Sequence, residues 1–133
     1  MSATRFTVES DTHTDVIDIT DRVRDVIPKR RRVCTVFSEH TTTGVCVNES
    51  ESRLLGDIES MLAEAVPDDG WDHDELDGNA DSHLRALLVG KRVDSRPRRG
   101  PRPGAWQSVL FVDCDGPRER AVDESSPTES EFR

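Results

Sequence analysis

The chain has 133 residues, of which 33% are apolar and 34% charged, and its formal net charge is -9. This length predicts a single domain with a modest core and no separate cofactor-binding module. The apolar runs are far shorter than the roughly 18 residues of a membrane helix, and no apolar leader is visible, so we expect a cytoplasmic protein. Three cysteines without a CxxC spacing argue against a disulfide framework and a cysteine-built zinc site.

Two basic clusters interrupt an otherwise acidic chain. Residues 29–32 and 85–102 hold eleven of the eighteen cations, and only two cations in the chain are lysine. Such an acidic, lysine-poor surface predicts adaptation to a high-salt cytosol. The cluster at 85–102 lacks interleaved aromatic residues, and the acidic background repels polyanions, so a small phosphorylated ligand is favoured over nucleic acid. Pairing of these arginines with the chain's own carboxylates is the alternative.

Hydrophobic periodicity predicts the elements of the first half of the chain. Alternation indicates strands over residues 4–9 and 16–20, and helical spacing indicates a short helix from Thr20 that ends before Pro28. Two β-branched runs, 33–37 and 44–47, predict two paired strands or one long, bent strand around a polar segment.

The second half combines one regular helix with shorter elements. An apolar stripe predicts a helix over about 51–65. The remaining predictions are, in chain order, a long loop over 67–79, a helix over 83–89 capped by Asp81 or Ser82, an irregular connection over 92–104, and strands over 105–113 and 119–122. An acidic, disordered tail is expected over 123–133, which leaves 1–122 as the single domain.

Histidines are the first candidates for chemistry. His40, His73 and His83 each lie in polar, turn-forming sequence, and three converging imidazoles would form a metal site with an open coordination position. The alternative is that they are ordinary surface or capping residues, as we expect for His13. The segment 77–81 (DGNAD) resembles half of a calcium loop, but the required glycine and glutamate are missing further on, so an EF-hand is rejected.

Polar residues at strand ends are the second candidates. Asn48 and Glu49 end a predicted strand just before the main helix, where helix capping and a role in a site are both reasonable. Gln107 follows the bulky Trp106 at the start of another predicted strand and indicates a site.

Three separated motifs together resemble the YjbQ, or UPF0047, family. They are HTTTGVCVNE at 40–49, DGNADSHLRALLVG at 77–90 and GAWQSVLFVDCDGPRER at 104–120. The resemblance implies an α+β fold with an antiparallel β-sandwich or barrel-like sheet and two to three helices. It also implies a homotrimer with sites near subunit interfaces, and a polar pocket that holds a metal or an anion. The positions that match the family pattern are His40, Asn48, Glu49, Asn79, His83, Trp106 and Gln107.

Members of this family are described as secondary thiamine-phosphate synthases, which join a pyrimidine diphosphate to a thiazole phosphate and release pyrophosphate. The expected roles, on this resemblance, are catalysis by His40, Glu49 and His83, a divalent metal (zinc or magnesium) on His40, His73 and His83, and substrate binding by Asn48, Asn79, Gln107 and Arg118. The expected partners are a small phosphorylated ligand and two further copies of the chain, with no nucleic acid and no membrane.

Two other functions use the same residues. One is a metal-dependent hydrolase in which Glu49 is the base. The other is a non-catalytic, trimeric binding protein. The chain departs from the family pattern at Ala105, where the family has threonine, and over residues 92–104, which puts the substrate in question.

Overall fold

Seven strands and three α-helices lie within residues 2–26, 33–95 and 107–126, the part of the chain that the computed structural model describes. Their order is β1 (Ser2–Glu9), β2 (Asp15–Asp18), α1 (Thr20–Val26), β3 (Cys34–Ser38), β4 (Thr43–Asn48), α2 (Ser52–Ala65), α3 (Ala80–Val89), β5 (Arg92–Ser95), β6 (Ser108–Asp113) and β7 (Glu119–Ser126). A short 3₁₀ helix, Asp72–Glu75, lies between α2 and α3.

The strands form two antiparallel sheets. The first has the order β1-β7-β3-β5 and the second the order β2-β6-β4. Both are open rather than closed into a barrel over the described residues. The predicted α+β class with antiparallel sheets is therefore confirmed, while the barrel-like alternative is wrong.

Strand β6 lies at the centre of the packing because both of its faces are buried. Val109 and Phe111 point into a core shared with β1, β3, β7 and α1. Leu110 and Val112 alternate with them and pack against Leu62 of α2 and its neighbours on α3. The molecule is thus layered: the first sheet, the second sheet, and a cover of α2 and α3.

Helix α2 confirms the predicted helix over 51–65. Glu51 is its N-cap, and the carboxylate accepts a hydrogen bond from Leu54 N at 2.8 Å. Helix α3 begins three residues earlier than predicted, with Asn79 as N-cap. The predicted caps have other partners: the Ser82 hydroxyl donates to Cys114 O at 2.6 Å, and the Asp81 carboxylate accepts from Arg85 at 2.7 Å. Both side chains are buried, so tertiary contacts outweigh the local capping signal.

Two further expectations need correction. The connection predicted over 92–104 contains strand β5, which pairs with β3 so that Val93 faces Val36, and residues 96–106 lie outside the described residues. The predicted tail from residue 123 begins too early, because β7 continues to Ser126 between β1 and β3. Residues 127–133 are outside the described residues. Among the described helices, none is long and apolar enough to cross a membrane.

Candidate functional site

Antiparallel pairing of β4 with β6 sorts the predicted site residues to two ends of the second sheet. Thr43 pairs with Asp113 at one end, and Asn48 pairs with Ser108 at the other. These ends are roughly 17 Å apart, the length of five residue steps in a strand. We call them the histidine end and the glutamate end. The histidine end carries His40, Asn79, His83 and Arg118; the glutamate end carries Asn48, Glu49 and Gln107.

A buried ion pair holds the histidine end together. Arg120 donates from Nε and Nη2 to the two carboxylate oxygens of Asp113, which also accepts from the Ser10 hydroxyl at 2.6 Å and from Asp115 N at 2.9 Å. Burial alone would raise the pKa of Asp113, but the hydrogen bonds from Arg120 and Ser10 outweigh it, and the pKa is lowered. The carboxylate is therefore held charged, and it fixes the turn between β6 and β7.

The turn before β4 is fixed by a half-buried lysine. The His40 carbonyl accepts from the Lys91 ammonium, from Thr43 N at 3.1 Å and from the Thr43 hydroxyl at 2.9 Å. Lys91 also donates to Thr43 O at 2.8 Å and forms no ion pair with a carboxylate among the described residues. Burial, followed by the nearby Arg120 charge, lowers the pKa of Lys91. A positive charge with only carbonyl partners therefore lies beside His40.

The start of α3 brings a second group of predicted residues to this end. The Asn79 amide donates to Asp115 Oδ2 at 3.4 Å, while its buried Oδ1 has no hydrogen-bond partner among the described residues. His83 follows one turn later and so lies on the same face of the helix. Arg118 reaches the same Asp115 oxygen at 3.3 Å, and 55% of its side chain is exposed. Asn79, Asp115 and Arg118 thus form one chain of contacts.

The three predicted metal ligands do not come together. His73 and His83 are in edge-to-face contact, with ring centroids 5.1 Å apart. His40 contacts β7 instead, where its Nε2 accepts a hydrogen bond from Ala121 N at 3.4 Å. The described parts of the chain contain no group of three or more His, Cys, Asp or Glu side chains placed to hold a metal ion. Two imidazoles alone do not make the expected three-histidine site. The described residues of a single chain therefore do not fit the expected metal ion, and we derive no chemical step that uses one.

The glutamate end is open and separate. Asn48 Oδ1 accepts from Glu49 N at 2.8 Å, both residues are exposed, and Gln107 is exposed beside them in the sheet order. Neither Asn48 nor Glu49 caps α2, because Glu51 does so. Trp106 lies outside the described residues. The predicted catalytic set of His40, Glu49 and His83 is therefore divided between the two ends of a single chain.

The basic cluster at 85–102 is in part structural. Arg85 is buried and donates to Leu62 O at 3.1 Å, to Val66 O at 2.7 Å and to the carboxylates of Asp81 and Asp68 at 2.7 Å each. It ties the end of α2 to α3. For this arginine the structure supports the alternative of pairing with the chain's own carboxylates.

Several residues that build this end were not singled out from the sequence: Ser10, Lys91, Asp113, Asp115 and Arg120. Lys91 lies in the basic cluster at 85–102, and the last three lie in the motif at 104–120, but none was given a role of its own. Lys91 carried one unused signal, because it is one of two lysines in a chain whose other cations are arginine. The contact between Ser10 and Asp113 joins residues 103 positions apart, and no local pattern predicts it.

Fold and site together define a class of protein: a small α+β sandwich with a polar, histidine-bearing sheet end. The profile described as "UPF0047 protein YjbQ-like" matches residues 4–124, and the chain belongs to this family. The UPF0047 protein of Methanothermobacter thermautotrophicus is 45% identical over 113 residues, which cover 81% of this chain and 79% of that protein. The UPF0047 protein of Archaeoglobus fulgidus is 41% identical over 119 residues, which cover 88% of this chain and 94% of that protein.

Solved structures give the same result. A hypothetical protein from Aeropyrum pernix is 34% identical, with a TM-score of 0.87 over 97% of this chain and 100% of that one. A YbjQ-like protein of unknown function from Sulfolobus solfataricus is 29% identical, with a TM-score of 0.81 over 94% of this chain and 95% of that one.

These comparisons correct the predicted activity. The family and its solved members are described without an activity or as of unknown function, and nothing in them supports a thiamine-phosphate synthase. Within one chain, His40 and Glu49 also lie at two ends of the second sheet, so a single subunit does not assemble the expected catalytic set. The prediction of this transferase is therefore wrong.

Proposed function

We propose that the protein is a non-catalytic, trimeric binding protein that holds a small phosphorylated ligand at the histidine end. The observation that carries this proposal is the charge of Lys91, whose ammonium has only carbonyl partners within residues 2–26, 33–95 and 107–126. Arg120 lies close enough to lower its pKa, and the charge of Arg120 is already matched by Asp113. An anion at the surface of this end would balance the remaining positive charge.

Arg118 supplies the donors that such an anion needs. Its guanidinium is exposed, reaches Asp115 at only 3.3 Å, and can turn toward a phosphate with forked hydrogen bonds. His40 and His83 are half-buried at the same end and add imidazole nitrogens that can hydrogen-bond an anion. Together these side chains would bind the phosphate group and orient the ligand. Binding alone requires no nucleophile, no general base and no leaving group.

Trimer formation would bring the two ends together. In a closed ring each subunit presents one surface to the next subunit and a different surface to the previous one. Contact between the histidine end of one subunit and the glutamate end of its neighbour would add Asn48, Glu49 and Gln107 to the ligand site. The divalent metal expected from the family resemblance stays a prediction.

Calorimetric titration with inorganic phosphate and with glycerol phosphate tests the proposal. Arg118→Gln should weaken binding about tenfold or more, since a hydrogen bond to a charged group contributes about 1.5–3 kcal/mol. Arg5→Gln is the matched control, because Arg5 is similarly exposed and also paired with carboxylates, but lies on the first sheet. Equal affinity in wild type and Arg118→Gln, or a ligand that is converted during incubation, would contradict the proposal.

Subunit mixing tests the composite site. Light scattering should give three times the 14.9 kDa chain mass. Arg118→Gln and Glu49→Gln trimers should each bind phosphate weakly, whereas unfolding and refolding them together should restore part of the sites, because some interfaces then carry both native ends. If phosphate binding does not recover after exchange of subunits has been confirmed, the composite site is contradicted. Repeating the titration after treatment with EDTA separates anion binding by side chains from binding through a metal.

A further inference from the structure

A second unusual group lies inside the sandwich, far from the histidine end. The Glu124 side chain on β7 is completely buried. Its Oε1 accepts from the Ser126 hydroxyl, and its Oε2 has no hydrogen-bond partner among the described residues. Burying a charged carboxylate that has one oxygen without a hydrogen bond lowers the stability of the folded state, whereas burying the neutral carboxyl group has a far smaller free-energy cost.

Within the described residues, the free Oε2 of Glu124 has no cation within hydrogen-bond distance. Thr4 of β1 and Val36 of β3 are its cross-strand neighbours, and Val122, the preceding inward residue of β7, belongs to the apolar core that includes Val45 and Phe111. The Cys34 thiol on β3 is also buried here, and its pKa is raised to about 12 by burial and then by the charges of Glu124 and Asp94.

Two arginines lie on α1, the helix that packs on this core, and neither forms an ion pair with Glu124 among the described residues. Arg24 pairs through Nη1 with Asp21, while its buried Nε has no hydrogen-bond partner in the described part of the chain, and the Arg22 guanidinium lies 5.0 Å above the Phe6 ring. Burial raises the pKa of Glu124 above its ordinary value of 4.5, and the Ser126 hydroxyl offsets only part of that rise.

We propose that the end of β7, residues 123–126, is a proton-operated strap. It stays paired between β1 and β3 while the Glu124 carboxyl is neutral, and it opens when that carboxyl loses its proton to water. Ionisation favours opening because the carboxylate gains hydration only outside the core. Glu124 lies two residues before the end of the described strand, so its release breaks only the pairing of residues 123–126 with β1 and β3 and leaves the Arg120 end of β7 in place.

Two cysteines provide an internal measurement of this opening. Cys34 lies beside Glu124 in the first core, and Cys114 lies in the second core, under α3. Both thiols are buried and burial raises the pKa of each, so neither should react until its own surroundings open, and Cys114 serves as the internal reference for Cys34. Opening of the strap exposes Cys34 alone.

The experiment is pulsed alkylation of the full chain from pH 5 to 9, with peptide mass spectrometry of both cysteines. In wild type the ratio of Cys34 to Cys114 labelling should rise by up to about tenfold per pH unit, the slope of one released proton. Glu124→Gln keeps the size and shape of the side chain but cannot lose a proton, so the ratio of Cys34 to Cys114 labelling should not change with pH in this variant. Glu119→Gln, on the exposed start of the same strand, should behave as wild type. A flat wild-type ratio, the same slope in Glu124→Gln, or a parallel rise at both cysteines would each overturn the proposal.

Discussion

Asp113 and Arg120 form a completely buried ion pair in which Arg120 Nε and Nη2 each lie 2.9 Å from a different carboxylate oxygen. The pair joins the end of β6 to the start of β7. Arg120 also donates to the Thr42 hydroxyl at 2.9 Å, so the same guanidinium fixes the turn that carries His40. The geometry of the histidine end thus depends on two residues that would not touch the proposed ligand.

Asp113→Asn should be among the most damaging single substitutions in the chain. It leaves the Arg120 charge buried without its partner, and such losses cost about 3–5 kcal/mol. Urea unfolding followed by circular dichroism measures the free energy of unfolding. Asp123→Asn is the control, because its ion pair with Arg5 is exposed and should contribute far less than the buried pair. Similar losses in the two variants would contradict the role given to the buried pair.

The same carboxylate should make the protein sensitive to acid. The pKa of Asp113 in the folded chain lies below its ordinary value of 3.8, so the folded state binds fewer protons than the unfolded state. Its contribution to stability is complete above pH 3.8 and is lost as the pH falls toward the folded pKa. The free energy of unfolding should therefore fall more steeply with decreasing pH in wild type than in Asp113→Asn. Parallel curves for the two proteins would show that other carboxylates dominate.

Two glycines should respond in opposite ways to alanine. A Cβ on Gly44 would lie 2.5 Å from Gly90 O and 2.8 Å from Val89 Cγ1, where β4 passes the end of α3. Gly44→Ala should lower the free energy of unfolding by about 1–3 kcal/mol or more, as overpacking does. Gly56→Ala is the matched control, since nothing lies within 4 Å of its added Cβ on α2, and it should stabilise the protein by roughly 0.5–1 kcal/mol. Thermal unfolding of both variants decides the point.

The features that could be predicted from the sequence are those with a local cause. The apolar stripe of α2 lies within fifteen consecutive residues, and the structure confirms the helix, although its N-cap is Glu51 rather than Asn48 or Glu49. The start of α3 could not be predicted from its local caps, because Ser82 bonds to Cys114, 32 residues away. The end of β7 looks like a solvated tail because the inward residues Glu124 and Ser126 are polar.

The candidate site divides in the same way. The motifs identified the family and most of the polar residues around the second sheet, but a linear motif does not show that its first and last residues lie at opposite ends of one strand. His40 and Asn48 are separated by the length of β4 for this reason. The network of Ser10, Asp113 and Arg120 depends on contacts between distant parts of the chain, which periodicity does not report.

Arg85→Gln tests how α2 is attached to α3. The substitution removes the charge that pairs with buried Asp81 and the donors to Leu62 O and Val66 O, so a loss of about 3–5 kcal/mol is expected. Asp68→Asn changes only the exposed partner of the same arginine and should cost much less than Arg85→Gln. Hydrogen exchange should show faster exchange in α2 of Arg85→Gln while β6 and β7 stay protected. Uniform loss of protection would mean that Arg85 supports the whole fold.

The acidic surface leads to the last prediction, a stability that increases with salt. A net charge of -9 on 133 residues repels itself most strongly in the compact state, and mobile ions screen this repulsion over about 8 Å at 0.15 M ionic strength. The midpoint of thermal unfolding should therefore rise from low to molar KCl. Asp72→Asn and Glu75→Gln, both exposed between α2 and α3, should raise the midpoint at low salt and reduce its dependence on KCl. A midpoint that is highest at low salt would show that attractive surface ion pairs, such as Arg5 with Asp123, outweigh the surface repulsion.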